Sequence, residues 1–132
     1  MRRLQSIGCF CVLCCVLWVA VATPAQGQQA TERFVPIGQS PGQSGKTTSI
    51  GTVQSVDMQA RSVTLAAAEG RVISLTWTDR TRIWLDRSRQ QMGAIKGMAS
   101  DIQVGRRVEV QPDKKDAAQV EWIKVDTATA PN

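Results

Sequence analysis

The chain of 132 residues contains no histidine and no tyrosine, and its cysteines are confined to one end. All four cysteines lie within the first fifteen residues, at Cys9, Cys11, Cys14 and Cys15. Histidine and cysteine are the usual general bases, nucleophiles and soft-metal ligands near neutral pH. If the N-terminal segment is removed, the mature chain has no disulfide, no thiolate and no imidazole.

Catalytic signatures are lacking as well. The sequence contains neither a nucleophile elbow nor a Ser-x-x-Lys pattern. Six aspartates fall at predicted strand ends or turns, where this residue commonly bonds its own backbone: Asp57, Asp79, Asp86, Asp101, Asp113 and Asp116. No two of them form a pair by their spacing. We therefore predict that the protein is not an enzyme and uses no cofactor.

The N-terminal residues are typical of an export signal. Met1-Arg2-Arg3 is a short basic start, and the uncharged apolar run IGCFCVLCCVLWVAVA extends from Ile7 to Ala22. A basic start, an apolar run and a small-residue cleavage site describe a secretory signal peptide. We predict a signal peptide over residues 1–27, cleaved after Gly27, with cleavage after Ala22 as the second choice.

A membrane anchor is the alternative interpretation of this segment. Its sixteen apolar residues are fewer than the ~20 that a spanning helix needs, so cleavage is favoured and the mature chain is predicted to have no membrane span. Export places the protein in the periplasm or outside the cell. Loss of Arg2 and Arg3 leaves 14 basic against 11 acidic residues, a net charge of +3. This mildly basic balance makes nucleic acid an unlikely partner.

Residues 28–47 are rich in Gln, Gly, Ser, Pro and Thr, a composition typical of a flexible leader. Phe34 is the residue that could dock this leader on the domain. The stretch SPGQSGKTTSI, from Ser40 to Ile50, contains Gly-Lys-Thr. A phosphate-binding loop needs a glycine five positions before Gly45, followed by a helix. Ser40 stands there and a β-branched segment follows, so we predict no nucleotide.

The remaining pattern predicts an all-β domain over residues 48–126, followed by a disordered tail at 127–132. Short β-branched segments bounded by turn residues predict five strands: Ile50–Met58, Ser62–Ala67, Arg71–Trp77, Arg106–Val110 and Gln119–Val125. The slipped spacing of Val53 and Val56 indicates a bulge in the first strand. Thr78–Leu85 is predicted to extend the third strand, and residues 87–102 to form a short or broken helix or a helical turn.

This order of elements is typical of an OB-fold, a small five-stranded Greek-key barrel. The runner-up architectures are an SH3-like barrel and an open meander. In either case the apolar positions of each strand should face one common core.

One motif resembles a family of secreted bacterial OB-fold domains of unknown function. It is Val-Gly-x-x-Val-x-Val, preceded by a polar-acidic-apolar turn and represented here by SDIQVGRRVEV from Ser100 to Val110. The resemblance covers about Ile50 to Asp126 and implies an OB-fold without assigning any chemistry. Members of that family usually carry Asp after the glycine, whereas this chain has Arg106.

The layout is also similar, more distantly, to small periplasmic copper and silver chaperones. That resemblance would imply Cu(I) held by one histidine and two methionines close to a tryptophan. This chain has no histidine, and Met92 and Met98 do not have the spacing of that methionine pair. Thioethers are nevertheless soft ligands for Cu(I). Met92 and Met98 are thus the weak candidate metal ligands, and filling gaps under a short helix is their alternative role.

An aromatic and basic surface is the main candidate binding site. If Ile83 and Leu85 face the core, alternation turns their neighbours outward, and the same holds for the last strand. The predicted ligand surface consists of Arg82, Trp84, Arg106, Trp122 and Lys124. Tryptophan and arginine together bind planar or anionic groups by stacking and cation–π contact.

An anionic glycan, a lipid head group or another protein would fit such a surface in an exported protein. We therefore predict a non-catalytic OB-fold binding module with an unknown anionic or protein partner. A metal-binding protein of the chaperone type is the alternative. The structural alternative for the surface itself is that both tryptophans pack under the leader or the helix.

Overall fold

The structure, a computed structural model, describes residues 32–128. The predicted signal peptide and the last four residues of the predicted tail lie outside the described residues. Seven strands are present in this range: β1 (Ser49–Asp57), β2 (Ser62–Ala67), β3 (Val72–Thr76), β4 (Arg82–Asp86), β5 (Ile95–Lys96), β6 (Arg107–Pro112) and β7 (Val120–Asp126). Single 3₁₀ turns occur at Ala68–Gly70, Ser88–Gln90 and Ala99–Asp101. Between residues 32 and 128, no helix is both long enough and apolar enough to cross a membrane.

All seven strands form one sheet in the order β3-β2-β1-β6-β7-β4-β5. The pairs are antiparallel except for β4 and β7, which run parallel. The sheet has to curl, because only residues 77–81 join β3 to β4. These strands would lie about 24 Å apart in a flat sheet, five interstrand spacings, and the connection spans at most about 21 Å.

The curl brings the outer strand β3 close to the start of β7 without closing the sheet. Thr76 donates its backbone N–H to the carbonyl of Ala118 at 2.9 Å and forms an isolated bridge with Gln119. The predicted five-stranded barrel is therefore wrong in strand number, and the sheet is not a closed barrel. The mostly β architecture is confirmed.

The hydrophobic core lies on the concave side of this curled sheet. Its buried members come from six of the strands and the adjoining turns: Val53, Val63, Leu65, Leu75, Trp77, Ile83, Ile102, Val108, Val110, Val120, Ile123 and Val125. Alternation along β2 directs Val63 and Leu65 to one face of the sheet, and alternation along β6 directs Val108 and Val110 to the same face. The predicted bulge in β1 is confirmed, since the register with β2 shifts between Val53 and Ser55.

The predicted extension of the third strand is a separate strand instead. A turn in which Thr81 N–H bonds Thr78 carbonyl at 3.1 Å redirects the chain after β3, so β4 pairs with β7 and not with β2. Of the short helix or helical turn predicted over residues 87–102, only helical turns are present, at Ser88–Gln90 and Ala99–Asp101, and the strand β5 lies between them. Gly97 lets the short strand β5 approach β4, because a Cβ there would lie 2.9 Å from the Leu85 side chain.

The Val-Gly-x-x-Val-x-Val motif forms backbone hydrogen bonds that connect the start of β6 to the bulge of β1. Gly105 has φ of 86°, a conformation that favours glycine. Its N–H donates to the Val53 carbonyl at 2.9 Å, and the Arg106 carbonyl accepts from the Val53 N–H at 2.9 Å. The motif thus aligns β1 and β6, which are antiparallel neighbours in the sheet and both contribute valines to the core.

Residues 32–48, hereafter the strap, lie against the outside of the sheet. The strap is helical at residues 32–34 and continues through successive turns into β1. Four of its side chains are buried, namely Glu32, Ile37, Ser40 and Thr48. Phe34, the expected docking residue of the leader, is 66% exposed. The strap is therefore held on the sheet by these four buried residues and not by Phe34, the residue that the sequence had indicated.

Candidate functional site

The candidate site is the convex side of β4, β6 and β7, which we call the outer face. It consists of the side chains that alternate with the core residues: Arg82, Trp84, Asp86, Arg107, Glu109, Gln111, Trp122, Lys124 and Asp126. This face combines two tryptophans with charges of both signs. Charged side chains are rarely placed against the apolar interior of a protein, so this face of the sheet lies away from the core.

Strand register brings four of the five predicted ligand residues together. In the parallel pair of β4 and β7, Arg82 lies beside Trp122 and Trp84 lies beside Lys124. The fifth residue, Arg106, lies before β6, where its guanidinium bonds the Asp126 carbonyl at 3.1 Å and the Gln103 side chain at 3.4 Å. The four clustered residues therefore form one surface, with Arg106 at the end of β7.

The outward direction of these side chains does not make all of them accessible. Trp122 is only 5% exposed and Lys124 only 1%, so the prediction that both lie open to solvent is wrong. Trp84 is half-buried. The physical reason is that the strap covers the outer face. The alternative interpretation, in which a tryptophan packs under the leader, therefore describes Trp122.

Arg82 and Trp84 contact the first residues of the strap. Two nitrogens of Arg82 approach the same oxygen of the buried Glu32 carboxylate, at 2.8 and 3.0 Å, and one of them also reaches Glu121 at 3.0 Å. The Arg33 guanidinium lies over the Trp84 ring, 5.2 Å from its centroid. The predicted ligand surface thus already binds a carboxylate and a cation of its own chain.

Further along the strap, outer-face side chains bind main-chain groups. Lys124 donates from Nζ to the carbonyl oxygen of Val35. The Asp86 carboxylate accepts the N–H of Ile37 at 2.9 Å. Next to it in the chain, the N–H of Gly38 donates to Glu109 at 2.9 Å.

Glu109 is the most completely enclosed acid of the outer face, with no exposed surface. Besides the Gly38 amide it accepts hydrogen bonds from the hydroxyls of Ser44 and Thr48, each at 2.7 Å. Its strand neighbour is Lys124. A buried carboxylate is tolerated where hydrogen bonds and an opposite charge compensate its lost hydration, and both are provided here.

Burial and charge shift the pKa values of two outer-face groups. Burial lowers the pKa of the Lys124 ammonium, and the nearby carboxylates of Glu109, Asp86 and Glu32 offset only part of this effect. For Asp86 burial alone would raise the pKa. Hydrogen bonds from Ile37 and Ser88, together with the charge of Lys124, outweigh burial and hold the pKa of Asp86 below its ordinary value.

An open cleft of about 450 Å³ borders the strap next to Trp122. Strap residues form one wall and the β6–β7 hairpin forms the other, with these lining side chains: Glu32, Gln43, Thr47, Gln111, Lys114, Glu121 and Trp122. The lining side chains offer hydrogen-bond donors and acceptors alongside apolar surface. This cleft is the accessible border of the otherwise covered face.

The weak candidate metal ligands lie elsewhere, on both sides of the short strand β5. Met92 is 49% exposed and Met98 is 68% exposed, so neither fills a gap under a helix. Within residues 32–128, no group of three or more His, Cys, Asp and Glu side chains is arranged to hold a metal ion.

Several residues of the site were missed at the level of the sequence. Glu32 and the main chain of residues 35–38 belong to the stretch predicted as flexible, and Asp86 was assigned a local turn role. Glu109 was part of a predicted strand without any function. Their contacts join positions 49 to 89 residues apart. The only local signal in the sequence was that Asp86 and Glu109 alternate with core residues along their strands, which directs their side chains away from the core.

No protein-family model and no curated protein matches the chain. The family of unknown function whose motif the chain resembles is therefore not confirmed, and that membership stays a prediction.

Among solved structures, the chain is similar to CusF. The Ag(I)-bound form is 15% identical, with a TM-score of 0.42, and the match covers 59% of this chain and 93% of that one. A Cu(II)-bound tryptophan-to-alanine variant from Escherichia coli is 16% identical, with a TM-score of 0.42, covering 60% and 89%. Apo-CusF from the same organism is 16% identical, with a TM-score of 0.38, covering 60% and 84%. A likeness this distant assigns no function to the chain.

Proposed function

We propose that this protein is an exported, non-catalytic binding module whose ligand surface is the outer face together with the adjoining cleft. The ligand chemistry that fits best is a carboxylate carried on a polymer. Arg82 and the half-buried Trp84 are the contact residues, and Lys124 supplies a second positive charge beneath them.

The observation that carries this proposal is the paired contact of Arg82 with Glu32 and of Trp84 with Arg33. Two Arg82 nitrogens converge on one carboxylate oxygen, and the Arg82 side chain remains 46% exposed. A guanidinium in such a position can exchange one carboxylate for another, because charge-assisted hydrogen bonds do not depend on what carries the acid. The pKa of Arg82 is raised by its contacts with Glu32 and Glu121 against the opposing effect of burial, so the group is permanently charged.

The proposal is tested by titrating the mature protein with three defined probes while following tryptophan fluorescence. The probes are poly-L-glutamate, the carboxylated polysaccharide alginate, and vesicles containing phosphatidylglycerol. We expect saturable binding of a carboxylate polymer that weakens about tenfold in Arg82→Ala and in Trp84→Ala. Arg71→Ala is the matched control, since Arg71 is exposed beside the distant strand β3.

Equal weakening in Arg71→Ala would indicate attraction by net charge alone and would contradict the proposed surface. Binding of the vesicles but of neither carboxylate polymer would reassign the ligand to a phosphate head group. If none of the three probes binds, the proposed ligand chemistry is wrong.

The alternative function is that of a metal-binding protein of the copper-chaperone type. The observation in its favour is that both thioethers, of Met92 and Met98, are exposed at the two ends of the segment containing β5. This alternative expects quenching of tryptophan fluorescence on anaerobic Cu(I) titration, lost in the double variant Met92→Leu, Met98→Leu. Tryptophan fluorescence that stays unchanged in excess Cu(I) would contradict this alternative.

A further inference from the structure

We infer that the outer face is a recognition groove for the main chain of a peptide, and that the strap occupies it as a resident ligand which a segment of another exported polypeptide can replace. This inference rests on the proposed function, because it narrows the polymer that carries the carboxylate to a polypeptide.

The first argument is that the groove binds the main chain of its occupant. Lys124 binds the carbonyl of Val35, Asp86 binds the N–H two residues later, and Glu109 binds the N–H one residue after that. Backbone carbonyls and amides are present in every polypeptide. Three buried side chains aimed at such groups recognise a peptide by its main chain, which follows the bend and turn of residues 35–38.

The second argument concerns the side chains that the groove accepts. Arg82 takes an acid at the position of Glu32, and a buried site takes an aliphatic residue at Ile37, which is 5% exposed. Gly38 follows with φ of +80°, and a Cβ there would lie 3.3 Å from an Arg107 nitrogen. The preferred pattern is therefore an acid, four variable residues, an aliphatic residue and glycine.

The third argument is that the strap is an imperfect ligand. Within the described part of the chain, the buried indole Nε1 of Trp84 and the buried hydroxyl of Ser40 have no hydrogen-bond partner. A buried donor without a partner is unfavourable, because it has lost its hydrogen bond to water. A peptide that brings a carbonyl to Trp84 gains a contact which the strap lacks, and this difference provides a way for a partner to compete.

The fourth argument is that the strap can leave without disturbing the core. It is joined to β1 through a turn region in which Gly42 and Gly45 both have φ of +75° and would meet nothing within 4 Å if given a Cβ. None of the strap residues belongs to the core cluster on the concave side. The tether is long enough to keep a displaced strap attached.

The test uses the mature protein with a protease recognition sequence inserted between Gly42 and Gln43. Cleavage converts the strap residues up to Gly42 into a separate peptide that still carries the groove contacts of Glu32, Val35, Ile37 and Gly38. A fluorescein-labelled peptide with the sequence of residues 30–41 is then added, and its anisotropy is measured. We expect saturable exchange into the cleaved protein and little binding to the uncleaved protein, whose tethered strap competes at an effective concentration of about millimolar.

The peptide variants supply the controls. Glu32→Ala and Gly38→Val in the labelled peptide should each weaken binding about tenfold, whereas Arg33→Lys should bind within about twofold of the parent. Asp86→Asn in the cleaved protein should weaken every peptide, because it removes the charge that accepts the Ile37 amide.

The inference is overturned if the released fragment separates on gel filtration and the labelled peptide does not bind while the circular dichroism spectrum is unchanged. A fragment that co-elutes but never exchanges with excess labelled peptide also overturns it, since the strap is then a permanent part of the fold. Peptide exchange without binding of any external carboxylate polymer would uphold the groove and contradict the proposed function. Polymer binding without peptide exchange would uphold the proposed function and contradict the peptide groove.

Discussion

At the scale of single residues, Lys124 joins the sheet to the strap. It lies between Glu109 on β6 and Trp84 on β4, holds the Val35 carbonyl and lies over the Trp122 ring, 5.2 Å from its centroid. Burial disfavours the charged form of Lys124 and lowers its pKa. The surrounding carboxylates and the carbonyl are what keep a charged lysine in this position.

Replacement of Lys124 should therefore be costly. In Lys124→Met the apolar stem is retained while the buried carboxylates of Asp86 and Glu109 lose their compensating charge. We expect the free energy of unfolding in urea to fall by about 3–5 kcal/mol. The matched control Lys115→Met removes an exposed lysine and should change stability by less than about 0.5 kcal/mol. Equal effects of the two substitutions would contradict the buried role of Lys124.

The sequence predicted the direction of Lys124 and Trp122 but not their burial. Alternation with the buried Ile123 and Val125 correctly placed both side chains on the side away from the core. What covers that side depends on contacts with residues 89 positions earlier in the chain. Periodicity within a strand contains no information about such distant contacts, so burial of the outer face could not be predicted.

At the scale of elements, the close approach of β1 and β2 depends on Gly51. Gly51 lies opposite Ala67, and a Cβ added to it would lie 2.6 Å from the Ala66 carbonyl oxygen. Backbone atoms cannot yield as a flexible side chain can. The strands would have to separate where β1 also pairs with β6.

Gly51→Ala should accordingly destabilise the sheet, by about 1–3 kcal/mol as for other overpacked substitutions. Gly93→Ala is the matched control, because a Cβ there meets nothing within 4 Å. Thermal unfolding followed by circular dichroism measures both. If Gly51→Ala unfolds at the temperature of the control, the strand pairing described here is incorrect at that point.

Element boundaries were predictable where the signal was local. The clean alternation of Ser62–Ala67 gave β2 at the observed positions, and the slipped valines of β1 gave the bulge. Over residues 78–102 the extended conformation of 82–85 was predicted, but its separation from β3 and the short strand β5 were not, because both depend on partners elsewhere in the sheet. Gly97 permits the close approach of β5 to Leu85.

At the scale of the whole molecule, acid should loosen the strap. The folded-state pKa of Asp86 lies below its ordinary value of 3.8. Between these two values the unfolded chain binds more protons, so the free energy of unfolding falls as the pH falls through that window. The contribution is fully present above about pH 5 and is lost once Asp86 is protonated in the folded protein.

The corresponding measurement is urea unfolding at pH values from 6 down to about 3. Asp86→Asn, which cannot ionise, should be less stable than the parent at pH 6, and the difference should shrink on acidification. A constant difference over the whole range would show that the charge of Asp86 does not stabilise the fold. Lys124 interacts with Asp86 and also with Glu109 and Glu32, so each variant is compared with its own value at pH 6.

The central feature of the molecule is that outer-face side chains hold the strap. Hydrogen–deuterium exchange of the Ile37 and Gly38 amides, followed by NMR on the mature protein, tests this most directly. Both amides are hydrogen-bonded to buried carboxylates, so the account predicts exchange slower than in an unstructured peptide by about a hundredfold or more. Exchange of both at the unstructured rate would contradict it, because the outer face would then be uncovered in solution.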